Sequence, residues 1–211
     1  MNFNDHSKLA GKHAAFGASQ SSWLNKDDDS IIESYINSYS KEIGTGLHDI
    51  ARGFIQEKIK FRKIYKPCVL MMLRLYYHIP RYAVKLNDIS LDNITAYIND
   101  AIGYHMTPEV LLYYSELFFG TADAIDFRNN TLRIHDLKTG TTPVHKEQLY
   151  IYAALFCLEY SIKPGDINME LRIYQKNEVA IYNPTAEDIL PIMDKITTMN
   201  KKLANVRENN S

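Results

Sequence analysis

Cysteine is nearly absent: the 211 residues include two, Cys68 and Cys157. That number excludes a four-cysteine zinc or iron–sulfur site. Each lies in an apolar run, Cys68-Val-Leu-Met-Met-Leu73 and Leu155-Phe-Cys-Leu158, where a buried free thiol is expected. Long apolar runs are absent too, and none approaches the roughly 20 residues that cross a bilayer as a helix. Met1-Asn-Phe-Asn-Asp-His6 lacks the apolar core of a signal peptide. A soluble, cytoplasmic protein without a membrane partner is expected. Nor does one charge dominate: 24 Lys and Arg against 25 Asp and Glu leave a formal net charge of -1. A globally basic surface is thereby excluded, and any nucleic-acid contact has to come from a local patch.

What is present suffices for one core. Hydrophobic residues make up 45% of the chain, with 15 tyrosines among them. Residues 1–22 are polar and small, without a period, and read as a mobile arm able to dock through Phe16 and Trp23. Residues 23–205 read as a single domain and 206–211 as a polar tail. Neither an internal repeat nor a low-complexity linker divides the chain.

A helix is predicted from Ile31 to about Tyr39, after Lys26-Asp-Asp-Asp-Ser30. Gly44-Thr-Gly-Leu-His-Asp-Ile-Ala-Arg52 opens a second, with Thr45 as N-cap. Leu47, Ile50, Ala51, Phe54 and Ile55 follow at helical spacing as one buried stripe. His48 lies beside that stripe, as a structural histidine or as a ligand. Phe61 to Pro80 is the most basic region, with Lys60, Arg62, Lys63, Lys66, Arg74 and Arg81 in or beside it. Its cations are interleaved with aromatics, which suits either a nucleic-acid contact or a solvated helix with Tyr and Leu turned inward. Leu91 to Gly103 reads as a helix behind Ser90, and Pro108 to Glu116 as a strand. His145 to Glu159 reads as a helix that sets Gln148 and Tyr152 on one face. Strands follow at Ile167 to Tyr174 and Val179 to Tyr182, then a closing helix from Thr185 to about Leu203. Helices, three strands, a helix, two strands and a helix make the class α/β or α+β.

The chemistry concentrates between Gly120 and Lys138, two strands joined at Asn129-Asn130. Asn tolerates the positive φ that a two-residue hairpin turn demands. Counting outward from Arg128 opposite Thr131 puts Asp123 opposite Asp136, with Lys138 on the same face. Ile125, Phe127, Leu132 and Ile134 extend that face and can be buried. Asp126 and Arg133 fall on the other face as a charge pair. Facing carboxylates destabilise a sheet, and a divalent cation removes the conflict. The alternative is a polar hairpin end with ordinary surface charges.

Four patterns therefore occur in order: Gly44-Thr-Gly-Leu-His48, Gly120-Thr-Ala-Asp123, Asp136-Leu-Lys138-Thr-Gly140 and Gln148-Leu-Tyr-Ile-Tyr152. This set resembles the RecB-like branch of the PD-(D/E)XK nuclease superfamily. Tyr113 to Leu155 is similar to the small phage-encoded exonucleases of that branch, as is His13-Ala-Ala-Phe-Gly-Ala-Ser19 followed by Trp23-Leu-Asn25. The resemblance implies a restriction-endonuclease-like core, a central mixed sheet flanked by helices. It implies that His48, Asp123, Asp136 and the Leu137 backbone carbonyl hold Mn²⁺ or Mg²⁺. Lys138 would then stand by the attacking water, with Gln148 and Tyr152 supporting the site or touching the substrate backbone. An imidazole ligand suits Mn²⁺ better than Mg²⁺.

The implied function is a metal-dependent DNA nuclease, an exonuclease before an endonuclease. It would act on single- or double-stranded DNA in phage replication, recombination or host DNA degradation, in the bacterial cytoplasm, with an oligomer or a recombination partner. The chain departs from the CRISPR-associated relatives, whose four cysteines carry an iron–sulfur cluster, so no such cluster is expected. Tyr65 to Asn93 matches no motif of the family. Two other readings remain at this stage. One is a nuclease-fold protein that binds DNA or a partner without cutting, although no catalytic residue type is missing. The other is a nuclease acting on RNA.

Overall fold

A computed structural model describes residues 25–84, 89–140 and 145–208, with side chains to residue 203. The expected arm at 1–22, Trp23 and residues 209–211 of the expected tail lie outside these. Asp27 caps α1 (Asp28–Asn37), its carboxylate accepting from the Ser30 N–H at 2.8 Å. Helix α2 spans Ser40–Gln56. It does not open at Gly44, and Thr45 lies inside the helix rather than capping it. The glycines that suggested a boundary serve packing instead. A Cβ on Gly46 would stand 2.6 Å from Leu73 Cδ2, so Gly46 lets α3 (Lys66–Tyr77) lie directly on α2. Helix α4 (Leu91–Gly103) starts behind Ser90, whose hydroxyl accepts from the Asn93 N–H at 3.1 Å.

The rest is α+β around one five-stranded mixed sheet flanked by helices. The strands β1 (Thr107–Ser115), β2 (Phe118–Arg128) and β3 (Thr131–Leu137) form an antiparallel meander. Helix α5 (Glu147–Glu159) then crosses over, and β4 (Asn168–Gln175) returns parallel to β3. A parallel pair needs such a crossover. Strand β5 (Glu178–Tyr182) closes the edge antiparallel to β4, and α6 (Ala186–Glu208) ends the fold, reaching past the expected Leu203. Among the described residues no helix is long and apolar enough to cross a membrane.

The sheet divides the core in two. Leu137 and Tyr174 face a cluster with α2, α3 and α4, while Leu132, Ile134 and Leu171 face α5 and α6. On the α4 side a polar network pins helix to sheet. Arg172 reaches Asp100 at 2.9 Å and Tyr104 Oη at 2.8 Å, and Tyr174 Oη donates to Asp100 at 2.7 Å. His135, fully buried beside Tyr174, is held down to about 3 by burial and by Arg172 and Arg133.

Three expectations change. Asp126 and Arg133 do face each other in register, yet they form no charge pair. Asp126 pairs with Arg128 Nε at 2.9 Å, while Arg133 lies over the Tyr104 ring, 3.8 Å from Glu170. Phe127 is exposed at the rim of the sheet. Cys68 is exposed and Cys157 buried, because α3 turns Val69 and Leu73 inward and Cys68 outward.

Candidate metal centre

Asn129 and Asn130 both take left-handed backbone, φ 50° and 55°, which makes the primed turn of the β2–β3 hairpin. Pairing runs from Arg128–Thr131 to Ala124–His135. Asp123 and Asp136 come next along the two strands, just past the last pair. There the Leu137 N–H donates to Asp123 Oδ2 at 2.8 Å, so the first carboxylate is tied to the backbone beside the second. The Asp136 side chain is 2% exposed, and its Oδ1 has no hydrogen-bond partner among the described residues. Its charge partner is Lys138, with Nζ 3.0 Å from Oδ2.

Helix α5 holds the lysine. Lys138 Nζ donates to Gln148 Oε1 at 2.9 Å, and Gln148 Nε2 donates to Tyr152 Oη at 3.1 Å. The spacing of Gln148 and Tyr152 thus builds a chain that orients Lys138. The tyrosine needs room on β2, and Gly120 supplies it: a Cβ there would stand 2.9 Å from Tyr152 Cε1. This is a physical reason for glycine three residues before Asp123.

The opposite wall comes from α2 and β1. His48 Nδ1 lies 3.5 Å from Asp123 Oδ2. Glu109, absent from the sequence reading, completes a trio: His48, Glu109 and Asp123 each offer a ligand atom within 4.8 Å of the others. Asp136 stands outside that trio, turned to Lys138. Glu109 sits at the position opposite Asp123 on the neighbouring strand, with φ 55°, an unusual backbone for a non-glycine residue in a strand. The Leu137 backbone meets the site through its N–H.

The site is electrostatically tense. Burial raises Asp123 to about 6, with Glu109 adding to the rise and the Leu137 N–H and Lys138 opposing it. Burial and the charge of Asp123 raise Asp136 to about 6, against the pull of Lys138. Burial pushes the His48 imidazole below its usual range despite Asp136 and Glu109 nearby, which leaves a neutral ring able to ligate. Two carboxylates with raised pKa, a neutral imidazole and an exposed glutamate form an oxygen-rich donor set that fits a hard or borderline divalent cation.

Of the predicted site residues, His48 and Asp123 share the trio with Glu109, while Asp136, Lys138, Gln148 and Tyr152 form a chain of polar contacts apart from it, and Leu137 joins Asp123 through its N–H. The basic region from Phe61 to Pro80 contributes no side chain to the trio or to the lysine chain. Comparison with protein-family models finds no match, and comparison with curated proteins finds no matching relative.

Proposed function

We propose that this protein is a metal-dependent deoxyribonuclease of the RecB-like branch of the PD-(D/E)XK superfamily, acting as an exonuclease. The observation that carries this reading is Asp136. Its buried carboxylate has the Lys138 ammonium 3.0 Å from Oδ2 as its one polar partner among the described residues, no partner for Oδ1, and the charge of Asp123 nearby. A buried oxygen without a partner, with a second carboxylate's charge nearby, is costly to the fold even beside one ammonium, and such cost is typical of a site built for a ligand.

Asp123, Asp136, His48 and the Leu137 carbonyl would hold Mn²⁺ or Mg²⁺, with Glu109 as a further donor. Such an ion polarises a phosphoryl oxygen and acidifies its water. The chain's own residues do the rest. Lys138, fixed by Gln148, places a positive charge beside Asp136 where negative charge grows on the phosphate. Tyr152 fixes the Gln148 amide, so the carbonyl of Gln148 stays turned to Lys138. Glu109 is the exposed member of the trio. A DNA substrate, a bacterial cytoplasmic setting and a recombination partner or oligomer belong to the same reading.

The test is incubation of the purified protein with end-labelled linear DNA and closed circular DNA, in Mn²⁺ and in chelator. Metal-dependent loss of linear DNA with circles spared is expected. Rapid nicking of circles would make the protein an endonuclease, and no cleavage of either would remove the nuclease reading.

A further inference from the structure

Between Glu57 and Asp88 the sequence has no carboxylate, and every charged residue is a lysine or arginine. The described residues of this stretch, 58–84, follow α2 and carry α3 and the short helical turn Arg81–Ala83. Helix α3 buries Val69 and Leu73 and turns Met71, Leu75 and Tyr76 outward at 57%, 62% and 72% exposure. Contiguous apolar surface of this kind marks a contact site.

Two clefts meet on it. One, of about 750 Å³, runs between Tyr65, Lys66 and the β4–β5 turn at Lys176. The other, of about 680 Å³, follows α3 past Met71 and Arg74 to Arg81. Lys66 and Pro67 line both, so the clefts form one groove. Asp92 is the one carboxylate lining it among the described residues. Its Lys176 end lies at the end of the sheet that carries Asp136 and Lys138, since β3 and β4 run parallel and Leu137 pairs with Tyr174. The Gln175 amide donates to the Gly140 carbonyl at 2.8 Å, which ties that turn to the segment after Lys138. On its inner side α3 is tied to α2, as Tyr77 Oη donates to Asp49, the residue after His48.

We propose that this groove binds an unpaired nucleic-acid strand leading to the metal centre, an inference that rests on the nuclease reading. Cations line it, and exposed tyrosines occur in the same stretch of chain. Lys66, Arg74 and Arg81 match a phosphate backbone, and Tyr65 in the groove and the exposed Tyr76, which follows the lining residue Leu75 on α3, offer faces to bases. Only unpaired bases can use those faces, since a duplex keeps its bases stacked on each other. The cores of protein interfaces are instead depleted of charge.

The test uses the full chain in chelator, where metal-dependent cleavage is off. Probes are an oligothymidylate of about 16 nucleotides, a duplex of equal length and polyglutamate. Binding is read by anisotropy and by maleimide reaction at Cys68, which is exposed on the same helix while Cys157 is buried. The oligothymidylate should bind best and slow Cys68 labelling several-fold. Arg74→Gln with Arg81→Gln should weaken it about tenfold and flatten the salt dependence by about 0.7 per cation removed. Tyr65→Ala with Tyr76→Ala should weaken it without changing that slope.

Unchanged binding in both double variants overturns the proposal. So does equal protection by polyglutamate, which would make the partner an acidic protein. Cys68 that is shielded without DNA and released on dilution would make this face a contact between two copies. If strand binding depends on Arg74 and Arg81 but no DNA is cut in Mn²⁺, the nuclease reading falls and the groove stands. If long DNA is cut at the wild-type rate by variants that also bind normally, the groove falls and the nuclease reading stands.

Discussion

The Tyr152 ring lies against Gly120 so closely that a Cβ would come within 2.9 Å of Cε1. Tyr152 Oη is also the acceptor that fixes Gln148. Gly120→Ala should therefore displace the ring and loosen the chain that holds Lys138. Stability should fall by about 1–3 kcal/mol, the usual cost of overpacking, and cleavage should fall further than melting temperature suggests. Wild-type activity in Gly120→Ala would mean that the position of Tyr152 is irrelevant to the chemistry.

Removing the parts of that chain one by one should give graded losses. Lys138→Ala removes the charge itself and should cost on the order of 10²–10³ in rate. Gln148→Ala leaves the lysine present but unheld, and Tyr152→Phe removes one hydroxyl, so each should cost less than loss of a carboxylate. Single-turnover rates in Mn²⁺ rank the variants. A loss for Tyr152→Phe equal to that for Asp136→Ala would give the hydroxyl a direct part in the reaction.

Asp123 has one structural duty, acceptance of the buried Leu137 N–H. Asp123→Asn can keep that bond through its carbonyl oxygen, whereas Asp123→Ala cannot and leaves a buried donor, at about 1–3 kcal/mol. In chelator the Asn variant should melt at or above wild type and the Ala variant below it. In Mn²⁺ wild type should gain melting temperature, by preferential binding to the folded state, and both variants much less. An Asn variant that melts well below wild type in chelator would show that the charge of Asp123 is structurally required.

The sign of the pH dependence follows from the raised carboxyls. Between about pH 4 and 6 the folded, metal-free protein retains protons on Asp123 and Asp136, both raised to about 6, that the unfolded chain has released. The folded state binds more protons there, so this contribution to stability falls as pH rises through the window. His48 and His135, both lowered, act in the opposite direction. The difference between wild type and Asp123→Asn isolates the carboxylates, and in chelator the variant's advantage should grow with pH up to and past 6. Metal affinity has the other sign, because ligands must be ionised, and titration calorimetry with Mn²⁺ should show it rising across the same range. A pH-independent difference between the two melts would remove the electrostatic tension from the account.

Much of the centre is legible in one hairpin, because the turn at Asn129-Asn130 sets the register without interruption up to Ala124, the residue after Asp123. Glu109 is not legible, and the reason is a single irregularity. Ser115 pairs with Phe118, but beyond Tyr113 the register shifts by one. A count from the Glu116-Leu117 turn therefore places Glu109 opposite Ala124, on the wrong face, instead of opposite Asp123. Its left-handed backbone adds a second departure that no periodicity encodes. The start of α2 is hidden for another reason. Gly44 and Gly46 resemble helix breakers until the approach of Leu73 and Tyr77 to Gly46 is known, and that contact is tertiary. Cys68 lies in an apolar run on a helix with one buried side, and composition does not say which side it takes.

If the Asp123–Asp136 face is a metal-dependent nuclease centre, cleavage requires both the metal and Asp136. Release of end label from linear DNA by wild type and Asp136→Asn, side by side in Mn²⁺ and in chelator, tests it most directly. The account predicts release by wild type in Mn²⁺ alone and none by the variant, with both proteins folded by circular dichroism. Release by Asp136→Asn at the wild-type rate, or by wild type in chelator, would contradict it.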